Sequence, residues 1–256
     1  MTFIKTINDK GRSIAKKHPS LSPLLHSIKK IFFTKHHFSW WGTKLMEKYY
    51  INKFAKIYFG TAGNHRWQKT TWLGVSSLKL PTDMWIYQEI LHEIKPDLII
   101  ETGTMHGGSA LFLATLCDIN KKGLVISIDI NKKDSFPQHE RIKFLTGSSI
   151  DDNIINQLKE HVDNSKRVIV ILDSDHSKNH VLKELEIYSK FVSKNSYLIV
   201  EDTAINGHPI LPDFGEGPWE AVEEFLKTHP NFVIDKNKEK FLLTWNPNGY
   251  LKKISD

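Results

Sequence analysis

The chain has 256 residues, 40% of them hydrophobic, enough for one full-sized core with an appendage but short for two independent domains. Its single cysteine, Cys117, excludes an intramolecular disulfide, and with no apolar leader in MTFIKTINDKGR and no run of membrane-spanning length, the expected location is the cytoplasm. The net charge of +6 is unevenly spread: residues 1–60 hold twelve Lys or Arg against two acids, Asp9 and Glu47, so the remainder is mildly acidic, which argues against a nucleic-acid-binding core.

The basic N-terminal segment interleaves its lysines with Leu24, Leu25, Ile28, Ile31, Phe32, Phe33, Phe38, Trp40 and Trp41. Leu24, Leu25, Ile28, Ile31 and Phe32 recur at helical spacing, with Lys29, Lys30 and Lys35 free for a polar face. Such a helix suits an anionic membrane surface, on the inner face of the membrane, or else packs on the body or across a homo-oligomer interface. Residues 1–60 are therefore read as an extension of the core that begins at residue 61.

From residue 80 the pattern becomes regular. Pro81-Thr82-Asp83 starts a helix whose buried stripe is Ile86, Ile90, Leu91 and Ile94, and Pro96 ends it. Short apolar runs then alternate with helical stretches: DLIIE (97–101), a helix from Ser109 to Asp118, GLVISIDI (123–130), IKFLTG (142–147) and a helix at 152–161. VIVILD (168–173), a helix at 178–191 and YLIVED (197–202) complete the series. Strands apolar on both faces and separated by helices predict a Rossmann-like, doubly wound α/β fold with a mostly parallel sheet. The Gly- and Pro-rich INGHPILPDFGEGP is a candidate active-site loop, followed by a helix from Trp219 to Thr228. FVID (232–235) and FLLTW (241–245) read as a closing antiparallel hairpin. Cys117, in an apolar helical stretch, reads as a buried inert thiol.

In a parallel sheet, ligands bind beyond the carboxyl ends of the strands. The first strand ends in Glu101-Thr-Gly103-Thr104-Met-His106-Gly107-Gly108-Ser109, where glycines permit tight turns and expose main-chain N–H groups at a helix start. The spacing is not GxGxxG; an acid precedes the first glycine. Such an acid repels a pyrophosphate but faces an ammonium, while Asp129, ending the second strand, accepts hydrogen bonds from a ribose diol. This order resembles the S-adenosylmethionine site of class I methyltransferases, in which Gly147-Ser148-Ser149 falls at the adenine; His106 then lines the cofactor site. The fourth and fifth strands end in Asp173-Ser-Asp175-His176 and Glu201-Asp202. Four carboxylates on one rim need compensation, and an all-oxygen set suits Mg²⁺ or another hard divalent cation. His176 and His208 are candidate general bases.

ETGTMHGGSALF, ILDSDHSKNHVLKELEIY, YLIVEDTAINGHP and EKFLLTWNPNGYLK together resemble the cephalosporin hydroxylase and rhamnosyl O-methyltransferase family, over residues 65–253. The resemblance implies a class I methyltransferase-like domain over 61–256, S-adenosylmethionine and Mg²⁺ as cofactors, and a hydroxyl of a sugar or glycan as acceptor. It implies Asp173, Glu201 and Asp202 as metal ligands, with Asp173 also bordering the cofactor. Asp175 stays open between ligand and base. Catechol methyltransferases carry a lysine three residues after the first metal carboxylate; here that position is His176, which favours an imidazole or carboxylate base. Two other readings are a hydroxylase or oxidoreductase, opposed by the missing GxGxxG, and a non-catalytic membrane-associated binding module.

Overall fold

The computed structural model describes residues 40–60 and 65–256, so the helix expected around Leu24–Phe32 lies outside the described residues. The chain divides into two compact units, residues 1–51 and 52–256. Helix α1 (Trp40–Phe59) leaves Leu45, Met46, Tyr50, Phe54 and Ile57 exposed, and from the second unit buries Ala55.

In the second unit, a short antiparallel pair, β1 (Thr71–Trp72) and β2 (Val75–Ser76), precedes helix α2 (Pro81–Ile94). The main elements are β3 (Leu98–Thr102), α3 (Gly108–Ile119), β4 (Leu124–Asp129), β5 (Ile142–Thr146) and α4 (Asp152–Asp163). After them come β6 (Val168–Leu172), α5 (Lys178–Tyr188), β7 (Tyr197–Val200), α6 (Pro218–Thr228), β8 (Phe232–Ile234) and β9 (Tyr250–Lys253). The seven-stranded sheet has the order β5-β4-β3-β6-β7-β9-β8, with β3 to β7 parallel and β9 antiparallel to both neighbours.

Strand alternation explains why this sheet is covered on both sides. Leu98, Ile100, Ile126, Ile128, Val168, Val170 and Leu172 share one core with Leu158, Leu185, Tyr188 and Phe225 from α4, α5 and α6. Their neighbours in sequence, Ile99, Val125, Ile169 and Ile171, face Ile90, Leu91, Leu113 and Cys117 from α2 and α3. Each buried aliphatic contributes roughly 1.5–3 kcal/mol, and β3 is buried at all five positions. Cys117 is buried and its thiol is pushed up to about 11 by burial, as expected for an inert group.

One expected strand is corrected. The partner of β8 is β9 at Tyr250–Lys253; FLLTW forms no strand. Its polar and aromatic groups are captured elsewhere. Trp245 joins Ala55, Leu80, Ala204, Ile205 and Ile210 in a third cluster, and the Trp245 N–H donates to Asp83 Oδ2 at 2.9 Å.

Because β3 pairs with β4 on one side and β6 on the other, the connections diverge there, and the strand ends open a crevice. The turn after β3, the ends of β4 and β5, and the acids after β6 and β7 all meet at this crevice.

Candidate active site

A cavity of about 540 Å³ occupies the crevice. On one side it is lined by Gly103, Thr104, His106, Ser109, Asp129 and Ser148, on the other by Asp173, Asp175, His176, Glu201 and Asp202. A volume of this size is typical of small-molecule sites.

The glycine turn is shaped by close approach. Gly103 has φ +88°, and a Cβ there would overlap the Asp173 carbonyl oxygen, so only glycine lets the turn after β3 rest on the end of β6. At Gly108, the first residue of α3, a Cβ would overlap the Ser76 carbonyl, which sets the Ser76–Lys79 segment against the start of that helix. Asp129 ties the turn down: its Oδ2 accepts from the amides of Thr104 at 3.1 Å and Met105 at 2.9 Å, and its Oδ1 from Asn131 at 2.8 Å.

Glu101 and Gly107 do not reach the cavity wall. Glu101 is fully buried behind it, with Oε2 accepting from Ser127 Oγ at 2.7 Å and Oε1 without a hydrogen bond; burial raises its pKa against the pull of Lys79 and the nearby serines. The buried Ser77 Oγ and the Trp67 Nε1 are also unpartnered, and both residues line the cavity, as does Ser109, whose hydroxyl faces Glu101. Unpaired buried polar atoms are rare in folded proteins, and their concentration here fits a polar ligand that completes them. Amino, carboxylate and ribose groups of S-adenosylmethionine have the donors and acceptors to do so.

The acid rim is held as one electrostatic unit. Among the described residues, Asp173, His176 and Asp202 offer atoms close enough together to hold one metal ion. His176 Nε2 is 3.4 Å from Asp173 Oδ1 and 3.3 Å from Asp202 Oδ2. Burial pulls its pKa down, but Asp202 and Asp173 win and raise it to about 9. Asp202 itself sits at φ +54°, an uncommon conformation for a non-glycine residue, and its N–H donates to Asn246 Oδ1 at 3.1 Å.

Glu201 stands beside this group but is turned to other partners. Its Oε1 accepts from Tyr87 OH at 2.7 Å and lies 2.6 Å from Lys79 Nζ; Asn246 Nδ2 donates onward to Tyr87 OH at 3.0 Å. Lys79 also pairs with Asp173 Oδ2, and it is only 4% exposed. Burial and the Asp173 charge push Glu201 up to about 8, whereas Lys79 and His176 hold Asp173 low against burial. Lys79, Tyr87 and Asn246 are neighbours of the acid rim that sequence reasoning missed; only the buried setting of SLKLP and the WNPNG turn carried a trace of them.

Asp175 borders the cavity but is turned to other partners, and His208 lies farther off. Asp175 is exposed, and its Oδ1 accepts from the Ser177 N–H at 2.7 Å, which lowers its pKa and ties it to the start of α5. His208 lies outside the cavity lining, stacked on Trp219 at 4.2 Å and 3.0 Å from Glu220 Oε1. The long loop thus anchors to α6 through His208, which the structure does not bring together with the acid rim.

The fold and site have recognisable relatives. The rhamnosyl O-methyltransferase of Mycobacterium tuberculosis is 41% identical over 206 residues, covering 78% of this chain and 83% of the relative. That of Mycobacterium leprae is 40% identical over 205 residues, covering 78% and 88%. The apo structure of CmcI superposes with a TM-score of 0.59 at 21% identity over 77% of this chain and 81% of CmcI, and the Mg- and SAM-bound CmcI structure with 0.58 at 21% over the same shares, which shows the shared fold. Residues 64–254 match the Rhamnosyl O-methyltransferase/CmcI family throughout, and the chain belongs to that family.

Proposed function

We propose that the protein is an S-adenosylmethionine-dependent, Mg²⁺-dependent O-methyltransferase whose acceptor is a sugar hydroxyl, most directly one on a rhamnosyl unit as in the names of its curated relatives. One observation carries this reading: a single cavity joins the glycine turn, Asp129 and Ser148 to the Asp173–His176–Asp202 rim. A hydroxylase would need redox chemistry for which this oxygen-rich rim offers no 2-His-1-carboxylate set among the described residues.

S-adenosylmethionine would supply the methyl electrophile, and a hard cation, which Asp173, Asp202 and Glu201 would hold, would polarise a hydroxyl and offset the carboxylates that keep His176 protonated. The chain's own residues do the rest. The Asp129-braced turn and Ser148 orient the donor, and Ser77 and Ser109 meet its polar groups. His176 would take the acceptor hydroxyl's proton at Nε2, the atom it turns toward Asp173 and Asp202. The hydrogen bond from the Ser177 N–H to Asp175 Oδ1 favours His176 over Asp175 as the base. Positioning supplies most of the rate.

The test is transfer of labelled methyl from S-adenosylmethionine to a rhamnosyl glycolipid, before and after EDTA. Loss in EDTA with recovery in Mg²⁺ is expected; full activity without metal overturns the metal role, and cofactor binding without transfer to any sugar overturns the acceptor.

A second reading concerns the N-terminal extension. Leu45, Met46, Tyr50 and Ile57 are exposed on α1, a helix that also carries Lys48 and Lys56, a composition that suits peripheral contact with anionic lipid. No helix among the described residues is long and apolar enough to cross a membrane. Co-sedimentation of the full chain with phosphatidylserine vesicles, compared with L45E/Y50E, tests it; equal binding overturns the contact. Light scattering on the same samples tests the expected homo-oligomer.

A further inference from the structure

Lys79 is the least expected residue in the site. It lies between a β-hairpin and a helix, in a segment whose backbone is pressed against Gly108, and it is almost wholly buried. Its ammonium reaches Asp173 Oδ2 and Glu201 Oε1, two of the three carboxylates that the metal reading needs. The remaining atoms of the rim, Asp173 Oδ1 and Asp202 Oδ2, face His176. The acid that drops out of the compact metal-binding group is Glu201, the one bound by Lys79 and Tyr87.

We propose that Lys79 is a built-in counter-ion that shares the acid rim with the divalent cation, holding Glu201 and Asp173 together in the metal-free protein and yielding Glu201 to the metal when it binds. This rests on the reading of the rim as a metal site. The physical case is short. Buried carboxylates of like charge need a cation nearby. An ammonium at hydrogen-bond distance supplies it, but a point charge on a flexible stem can withdraw, as a second cation arriving a few ångströms away would make it do. The serine-lined cavity gives the stem room: Ser77, Leu78 and Lys79 all border it. Lys79 is thus a positioning residue that tunes how tightly the metal is held; it takes no part in bond making.

The experiment is calorimetric titration of the full chain with Mn²⁺ alone and Mg²⁺ alone, together with thermal unfolding in EDTA and in saturating Mg²⁺, for wild type, K79M, K79R and D202N. K79M is expected to bind Mn²⁺ roughly tenfold more tightly, since a competing charge in the same site is gone. It is also expected to melt several degrees lower than wild type in EDTA but close to it in Mg²⁺. K79R, which keeps the charge, is expected to bind Mn²⁺ no more tightly than wild type, and D202N to lose metal binding.

Metal binding by wild type with equal or weaker binding by K79M overturns the role of Lys79 alone. A destabilisation of K79M that is the same with and without metal does so too, because that is what a merely structural ion pair predicts. Absence of metal binding in both wild type and K79M overturns the metal reading, and this proposal with it. Should K79M fail to fold, K79Q, a neutral side chain that can still donate to Glu201, is read by the same criteria.

Discussion

The buried carboxylate of Asp83 links α2 to the C-terminal segment: Thr244 Oγ1, the Trp245 amide and Tyr250 OH all donate to it. Burial raises its pKa to about 6 from an ordinary 3.8, with those three donors opposing. The folded state therefore holds this proton more tightly than the unfolded chain. Its contribution is full below the unfolded value and is lost as pH rises through about 6, a change of about 3 kcal/mol. Urea unfolding of wild type and D83N across that range should show wild type losing stability relative to the variant as pH rises; parallel curves would refute it. At the rim, H176Q is expected to lower kcat by roughly 10²–10⁴, the usual share of a general base, whereas D175N should leave it within a few fold. Methyl-transfer rates for the two variants decide between the imidazole and the exposed carboxylate. These residues differ in how visible they were beforehand. Asp173 and Glu201 were legible because each directly follows an apolar run, with His176 and Asp202 within three residues of them, and strand ends are where ligands bind in parallel sheets. Lys79, Tyr87 and Asn246 were not, because their roles come from contacts between distant parts of the chain, such as Asn246 to Tyr87, that no local pattern encodes.

At the scale of elements, the parallel strands β3 to β7 and helices α2 to α6 were legible from continuous apolar runs and helical periodicity, and their observed bounds fall close to those expected. The closing hairpin shows where this fails. FLLTW has strand composition, yet Asp83 and the Ala55–Leu80–Ala204 cluster offer Trp245 more burial than a sheet edge would, and Tyr250–Lys253 pairs instead. The turn after β3 makes a sharper prediction. G103A places a methyl where the Asp173 carbonyl stands, at a φ that L-residues rarely adopt, and G108A drives into the Ser76 carbonyl. Each should cost about 1–3 kcal/mol or more in unfolding free energy. Cofactor affinity should fall as well, since both changes shift walls of the same cavity. Calorimetry with S-adenosylmethionine checks this, and a destabilised G108A with unchanged affinity would show that the Ser76–Lys79 segment does not shape the cofactor site.

For the whole molecule, the unpartnered Ser77 and Trp67 groups leave polar contacts that a bound ligand can complete. A cofactor present at a hundred times its Kd stabilises by about 2.7 kcal/mol, and each kcal/mol raises Tm by roughly 2–4 °C at this size. S-adenosylmethionine should therefore raise the melting temperature clearly, and NAD should not. A shift with NAD alone would return the oxidoreductase reading. The central pairing of β3 with β6 has a further consequence, for the order of assembly. β3, β4 and β5 are successive neighbours, so the half of the crevice that braces Asp129 forms from contacts short in sequence. Leu98 meets Val168, and the Asp173 amide meets the Thr102 carbonyl at 3.0 Å, only after a long loop of chain has closed. Closing that loop carries an entropic penalty before any contact repays it, which makes the β3–β6 junction a slow step in folding. The strands that carry the glycine turn and Asp129 are thus neighbours in sequence, whereas the turn's seat on the Asp173 carbonyl and the acid rim both wait for β6 and β7 to dock.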